Sequence, residues 1–489
     1  PAAIEWKPLA GLKTRNNGAE YVIVTHEEFR QAAERLAAWR AADDRFGPPL
    51  TTHVADVEDI YDEFSGGLLD PMAIRSFVNY AVDNWDPAPF FILLMGDGTY
   101  DYRNNFGTSH TNWIPPFQDG QSMYDEWYVR IDGGDVLPDL AIGRLPVGEA
   151  HEADAVVDKL ISYDRDPEIG PWQTRVLLVS DDRVNPSSRE DEFFFVRDAE
   201  RIAKEFVPED LDVAKLYFGQ FPLEGRTKPL AREAFLKEFN RGALITTYIG
   251  HGNPETIAHE QVFVLSRDIA SVDNGRRLPL VYTAASQVGV FDDPLRRSIP
   301  EVFINDPDGG VIGFISATRV GIHISNMNLA REFHQLMYLG DDQQVPVGLA
   351  LTVAKQRVPT TLPGDRANIQ RYSLLGDPAQ ILNRPFLRVQ IEAPDSLTAL
   401  HETRVRGQVL DSFGEAFFNY QGQARVQAYD SAALSRVEDW RWEQPGAPIF
   451  RSLTPVVDGA FEAVFRVPKD ISYGESKGRI SVYVWGEGR

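Results

Sequence analysis

Cysteine is absent from the 489 residues, which excludes disulfides and thiolate metal sites while leaving the redox compartment open. No apolar run approaches the roughly 20 residues that cross a bilayer, so no membrane-spanning helix is expected. Basic residues are outnumbered, with 49 Lys and Arg against 72 Asp and Glu and a formal net charge of −23. Neutralising a phosphate backbone takes clustered Lys and Arg, and no such cluster is visible, so nucleic acid is not an expected partner. Long repeats and low-complexity tracts are also missing. The chain opens at Pro1-Ala2-Ala3 without an initiator Met or a signal-peptide pattern, and it reads as a processed or trimmed piece.

The composition, 43% hydrophobic and 25% charged, is that of a soluble globular protein, and the length suggests roughly two to four domains. Tyr21–Thr25 reads as a strand, followed by a helix whose apolar positions Phe29, Ala33, Leu36 and Ala37 recur at helical spacing. Another helix is predicted to open at Asp70-Pro71, with Asp as N-cap and Pro in the first turn. It leads to the continuous apolar run Phe90–Met95, suited to a strand covered on both faces. Residues 99–138 are rich in Tyr, Trp, Asn, Asp and Gly and read as long functional loops. A helix from about Ala150 to Tyr163 and one around Phe194 to Phe206 then alternate with apolar runs at 176–179, 243–248, 278–283 and 311–315. Such alternation implies a mostly parallel sheet with helices on its faces. After Pro378 the periodicity gives way to short alternating runs such as 404–409 and 459–465, which fit a β-sandwich of about 100 residues.

Two loops present reactive side chains just past apolar strands, where open α/β sheets put their sites. His251 stands between Gly250 and Gly252, able to shuttle a proton near neutral pH, with glycines that allow close backbone approach to a substrate. Ser286 follows Ala284-Ala285, with Gly289 allowing the backbone to bend toward an oxyanion. Taken singly, a histidine in a tight turn and a small packing residue are the plainer readings. Asp97, Asp101, Asp125, Asp132 and Asp135 are oxygen ligands of the kind Ca²⁺ prefers, though solvated turn carboxylates explain them as well. His259 and Glu260 make no zinc pattern, and neither a catalytic metal nor an organic cofactor is expected.

Further stretches match in order along nearly the whole chain: Ile60–Gly66, Leu93–Asp101, Pro138–Val147, Gly309–Ile312 with Ser316-Ala317-Thr318-Arg319, Leu375–Ala379 and Val467–Ile471. Together with the His251 and Ser286 loops they make the chain resemble the gingipain family of cysteine peptidases, and within it the cell-surface sortase branch of type IX secretion. The resemblance implies a caspase-like α/β fold: subdomain A over residues 1–147, subdomain B over 148–385, and an immunoglobulin-like sandwich over 386–489. In such enzymes a thiolate attacks the scissile carbonyl, a histidine moves the proton and an acid supports the histidine. Matched by motif, the nucleophile position is Ser286, the histidine His251 and the acid Asp182, with Asp181 the alternative. Oxyanion donors are expected among the amides near Gly252 and Ser286.

Departures from the family pattern lower the expected activity. A hydroxyl is far less acidic than a thiol, so Ser286 should hydrolyse peptides very slowly or not at all. Arg183-Val184 replaces an acidic continuation, Ile257 stands where a Trp is common, and Val290 where an Arg is. A Cys-to-Ser exchange alone alters one of these positions, so their spread leans toward a naturally degenerate member, with an engineered exchange still open. The expected function is cleavage of C-terminal signal domains from exported polypeptides, impaired by Ser286, at the outer face of a bacterial outer membrane or as a secreted protein. The alternative is a non-catalytic relative that binds cargo or scaffolds a secretion complex.

Overall fold

The structure is a computed structural model and describes residues 7–46, 49–120, 122–183, 195–338, 344–360, 363–385, 387–411, 413–437, 440–473 and 476–486. It divides into two compact units, one formed by the described residues up to Asn383 except Glu168–Thr174, the other by Glu168–Thr174 and the chain from Arg384 onward.

The first unit is built on one sheet of ten strands: β1 (Tyr21–Thr25), β2 (Thr52–Asp56), β3 (Phe91–Met95), β4 (Ala141–Leu145), β5 (Arg175–Ser180), β6 (Asp212–Tyr217), β7 (Ile245–Ile249), β8 (Leu280–Ala284), β9 (Gly313–Ala317) and β10 (Tyr372–Gly376). Their spatial order is β2-β1-β3-β4-β10-β9-β8-β7-β5-β6. Neighbours run parallel except β9 and β10, which pair antiparallel. Two five-stranded parallel halves therefore meet at a single antiparallel seam, and the expected boundary at residue 147 falls inside one continuous sheet. Eight of the ten strands are buried along their whole length, β2 and β6 at the two edges being the exceptions. Covered parallel strands read as unbroken apolar runs for this reason.

Local sequence signals set the flanking helices. The helix predicted from Asp70-Pro71 runs Pro71–Asn84, and the Asp70 carboxylate caps it by accepting from the Met72 amide at 2.9 Å. It buries Ile74, Phe77 and Val78 in the core of the first half. The helix predicted from Ala150 runs Ala150–Arg165, and the next runs Phe195–Glu205, Phe194 lying outside the described residues. Within the long-loop segment, two short strands, Phe117–Asp119 and Ser122–Tyr124, lead to a turn of 3₁₀ helix.

The second unit carries two three-stranded antiparallel sheets. One orders Arg388–Glu392, Glu402–Leu410 and Ala460–Arg466, and the other Pro448–Val456, Gly422–Tyr429 and Arg479–Gly486. Along Ala460–Arg466 every second residue is buried, the alternation of a sheet with one dry face. Val405, Val426, Phe461 and Phe465 from both sheets share the core, where Phe450 stacks on Phe465 at 4.1 Å.

Candidate active site

Strand order decides which loops meet. β9, β8, β7 and β5 are consecutive neighbours, all parallel, so the residues past their C-terminal ends fall along one edge of the sheet. Ala284 lies opposite Ile249, and Ser286 and His251 each follow two residues on. Asp181 directly follows Ser180, the partner of Ile249 on the other side. Gly321, Ser286, His251 and Asp181, spread over 141 positions of chain, thus arrive on neighbouring strand ends about 4.8 Å apart.

The imidazole is held by Asp181. Asp181 Oδ2 lies 3.2 Å from His251 Nδ1 and accepts from the His251 amide at 3.0 Å. The Tyr248 hydroxyl donates to the His251 carbonyl at 2.7 Å and sits 3.3 Å from the same carboxylate oxygen. Asp181 Oδ1 accepts from the Asp182 amide at 3.0 Å, and the Asp181 amide donates to the Ile249 carbonyl at 2.9 Å. With Nδ1 donating to a buried carboxylate, Nε2 is left as the proton acceptor. Close packing here requires glycine: a Cβ on Gly250 would come within 2.4 Å of the Asp181 Cβ, and one on Gly252 within 2.5 Å of Val288 Cγ2.

Asp182, the expected acid, turns its Oδ2 to the Lys228 ammonium, which also donates to the Phe218 carbonyl at 2.8 Å. The carboxylate facing the imidazole is that of Asp181, the alternative. Glu260 approaches both aspartates, and burial, reinforced by the charges of Asp181 and Asp182, pushes its pKa up to about 8. The same forces, burial first and the Asp181 charge next, hold the Tyr248 phenol well above its ordinary value. Phe195 meets the His251 ring edge-on at 5.2 Å, and the His259 ring lies tilted against the same imidazole at 4.2 Å between ring centres.

Ser286 is partly buried, and its hydroxyl accepts from the Gly321 amide at 3.0 Å and donates to the Gly321 carbonyl at 3.3 Å. Gln287 follows with φ at +59°, an uncommon conformation for a residue with a Cβ. The loop is clamped from β9: the Gly289 amide bonds to the Ala317 carbonyl at 3.0 Å, and Arg319 grips Asp292 with two bonds of 2.8 and 2.6 Å. The stretch Ser316–Arg319, one of the family matches, is thereby explained as the support of the Ser286 loop. Val290 borders a cavity of about 450 Å³ with Tyr100, Glu255, Gln287, Asp293 and Arg319. Ile257, at the expected Trp position, is buried in a short strand with Thr256.

The five aspartates weighed as calcium ligands do not gather. Asp125 pairs with Arg144, Asp101 accepts from Asn105 and Phe106, and Asp132 and Asp135 bond amides of their own turns. Among the described residues, the acidic group whose ligand atoms come within 4.8 Å of one another is Asp181, Asp182 and Glu260. Lys228, Tyr248, Glu260 and Gly321 complete the site, and sequence reasoning gave none of them a role. Only Glu260, weighed with His259 as a zinc pattern and set aside, had been considered at all.

A doubly sided α/β sheet with an Asp-supported histidine and a small hydroxyl on adjacent strand ends defines a peptidase-type, caspase-like fold. The profile of peptidase family C25 matches residues 14–383, and the chain belongs to that family, the gingipains. Its fold is similar to that of the RgpB pro- and mature-domain complex from Porphyromonas gingivalis, with a TM-score of 0.60 and 17% identity over 95% of this chain and 99% of that one. The Arg-specific cysteine proteinase gingipain R superposes with a TM-score of 0.59 and 18% identity over 98% and 99%. An uncharacterized protein of Archaeoglobus fulgidus is 22% identical over 324 residues, covering 62% of this chain and 76% of its own. Among the described residues, no helix is long and apolar enough to cross a membrane.

Proposed function

We propose that this chain is a gingipain-like peptidase or sortase module of type IX secretion, acting on exported polypeptides at the bacterial surface or as a secreted protein, with turnover impaired by Ser286. The observation that carries the reading is the ordered edge Gly321, Ser286, His251, Asp181, in which a nucleophile position and an oriented imidazole lie on adjacent strands. Val320, Ile322 and Ile324 are exposed beside Gly321, an apolar surface suited to a polypeptide. In the proposed reaction the side chain at 286 attacks the scissile carbonyl, its proton passes to His251 Nε2, and amides of Gly252 and Ser286 receive the oxyanion. His251 then returns the proton to the departing amine, and water or an acceptor amine cleaves the acyl-enzyme. Asp181, rather than Asp182, is assigned the orienting role.

A hydroxyl does this poorly for two reasons. It must leave its bonds to Gly321 before it can donate to His251, and it cannot enter the reaction as a preformed anion. Those same bonds favour a second reading, a non-catalytic module that keeps the cleft to bind cargo. Peptides spanning the linker of a C-terminal secretion domain, offered to the parent protein and to Ser286→Cys, separate the two. Cleavage at least about 100-fold faster with Cys supports the impaired peptidase. Binding without cleavage by either form supports the cargo module, and equal cleavage by both would overturn the acidity argument.

A further inference from the structure

The cavity of about 450 Å³ begins where the reactive pair ends. Gln287, on its wall, directly follows Ser286, and Asn253, also on its wall, lies two residues past His251. The hairpin that pairs Gly252 with Ile257 and Asn253 with Thr256 forms one side, pinned where the Pro254 carbonyl accepts from the Ile299 amide at 2.7 Å. Tyr100 forms another, its amide bonded to the Asp292 carbonyl at 3.0 Å and its ring edge-on to Phe106 at 6.2 Å. Arg319 lines this cavity, whereas Val320 and Ile322, the apolar surface beside Gly321, do not. The Ser286 loop therefore has two different neighbours, one apolar and one polar.

The polar neighbour carries an excess of negative charge. Arg319 is matched by the buried Asp292 through bonds of 2.8 and 2.6 Å. Arg296, its side chain half exposed, is shared by two carboxylates, Asp293 at 2.8 Å and Glu255 at 3.4 Å. Three carboxylates against two guanidinium groups leave one negative charge beside an aromatic ring. The Tyr100 phenol senses it: burial first, then the charges of Asp293 and Asp292, raise its pKa against the opposing Arg319. Carboxylates and the face of a tyrosine both attract an ammonium or guanidinium group.

We infer that the cavity receives the polypeptide on the amine side of the scissile bond and selects a lysine or arginine there, at the first or second residue past the bond. The inference rests on the peptidase reading above: His251 protonates the departing amine, so the chain that leaves runs along the hairpin that follows His251. An extended chain advances about 3.3 Å per residue, which brings its first or second side chain to the cavity mouth. Asp293 and Glu255 hold the incoming cation, and Arg296 is the competitor it displaces toward solvent.

The test uses the full chain with Ser286→Cys and linker peptides that carry Lys, Arg, Ala or Glu at each of the two positions. At one of them Lys and Arg should raise kcat/KM at least about tenfold over Ala, and Glu should fall below Ala. Asp293→Asn should cut the Lys-to-Ala ratio to about threefold or less. Arg296→Gln, at a half-exposed side chain, should raise that ratio by removing the competitor. Cleavage with no preference at either position, a preference for Glu, or a lower ratio in Arg296→Gln overturns the inference and leaves the peptidase reading standing. Fluorophore-labelled copies of the same peptides, titrated into the Ser286 parent, read the cavity without turnover. Lys peptides bound at least about fivefold tighter than Glu peptides, with no cleavage by either form, would support the charge selection and sink the peptidase reading. Equal affinities would overturn the inference.

Discussion

Asp181 and Asp182 are chemically identical neighbours with opposite engagements. Successive residues leaving a strand point to different sides, so only one can meet the imidazole on the adjacent strand end. Asp181 does, through Nδ1 and the His251 amide, while Asp182 answers Lys228. In the Ser286→Cys background, Asp181→Asn should lower kcat/KM by about 10²- to 10⁴-fold, since Asn can present the wrong group to Nδ1 and release the required tautomer. Asp182→Asn should cost less than about tenfold. Steady-state cleavage of the linker peptide checks both, and the reverse ranking would return the orienting role to Asp182.

At the scale of elements, the stretches that carried the resemblance turn out to hold strands together. Arg144 on β4 is fully buried and clamps Asp125 with two bonds of 2.7 Å, while donating to the Gly96 and Ile114 carbonyls. Gly143 beside it has no room for a Cβ, which would sit 2.3 Å from the Gly376 carbonyl of β10. Asp377, past the end of β10, accepts from Tyr21 at 3.0 Å and from Arg40 at 2.8 Å, tying the first helix to the seam. Removing one partner of a buried pair strands the other's charge, so Arg144→Met should destabilise the first unit by about 3–5 kcal/mol. Urea unfolding measures it, and a loss under 1 kcal/mol would show that the pair does not hold the seam.

For the molecule as a whole, pH should tune stability through Asp97. This residue is 1% exposed, and its Oδ2 faces His110 Nε2 at 3.3 Å. Burial raises its pKa to about 7, against the pull of the Gly98 amide, Arg144 and Arg297. The folded state therefore keeps a proton that the unfolded chain releases near pH 4, and stability is full below that and falls as pH rises toward 7. Asp97→Asn stays neutral and should gain on the parent through this window by about 1 kcal/mol per pH unit. Urea unfolding at pH 4.5, 6 and 7.5 gives the difference, and one constant with pH would contradict the assignment.

Buried parallel strands announce themselves as unbroken apolar runs, so β3, β5, β7 and β8 were legible before any coordinates, as were the alternating strands of the second unit. Turn chemistry made His251 and Ser286 visible, because each interrupts such a run with small residues. Strand order is not written locally: nothing in the sequence places β5 beside β7 or reverses β10 against β9. Which of two adjacent aspartates meets the imidazole, Lys228 at the second, Gly321 on the hydroxyl and Glu260 among the carboxylates all follow from that order. They are contacts between segments 35 to 79 positions apart, chosen by packing and charge pairing in the folded sheet, and periodicity and motif carry no record of them.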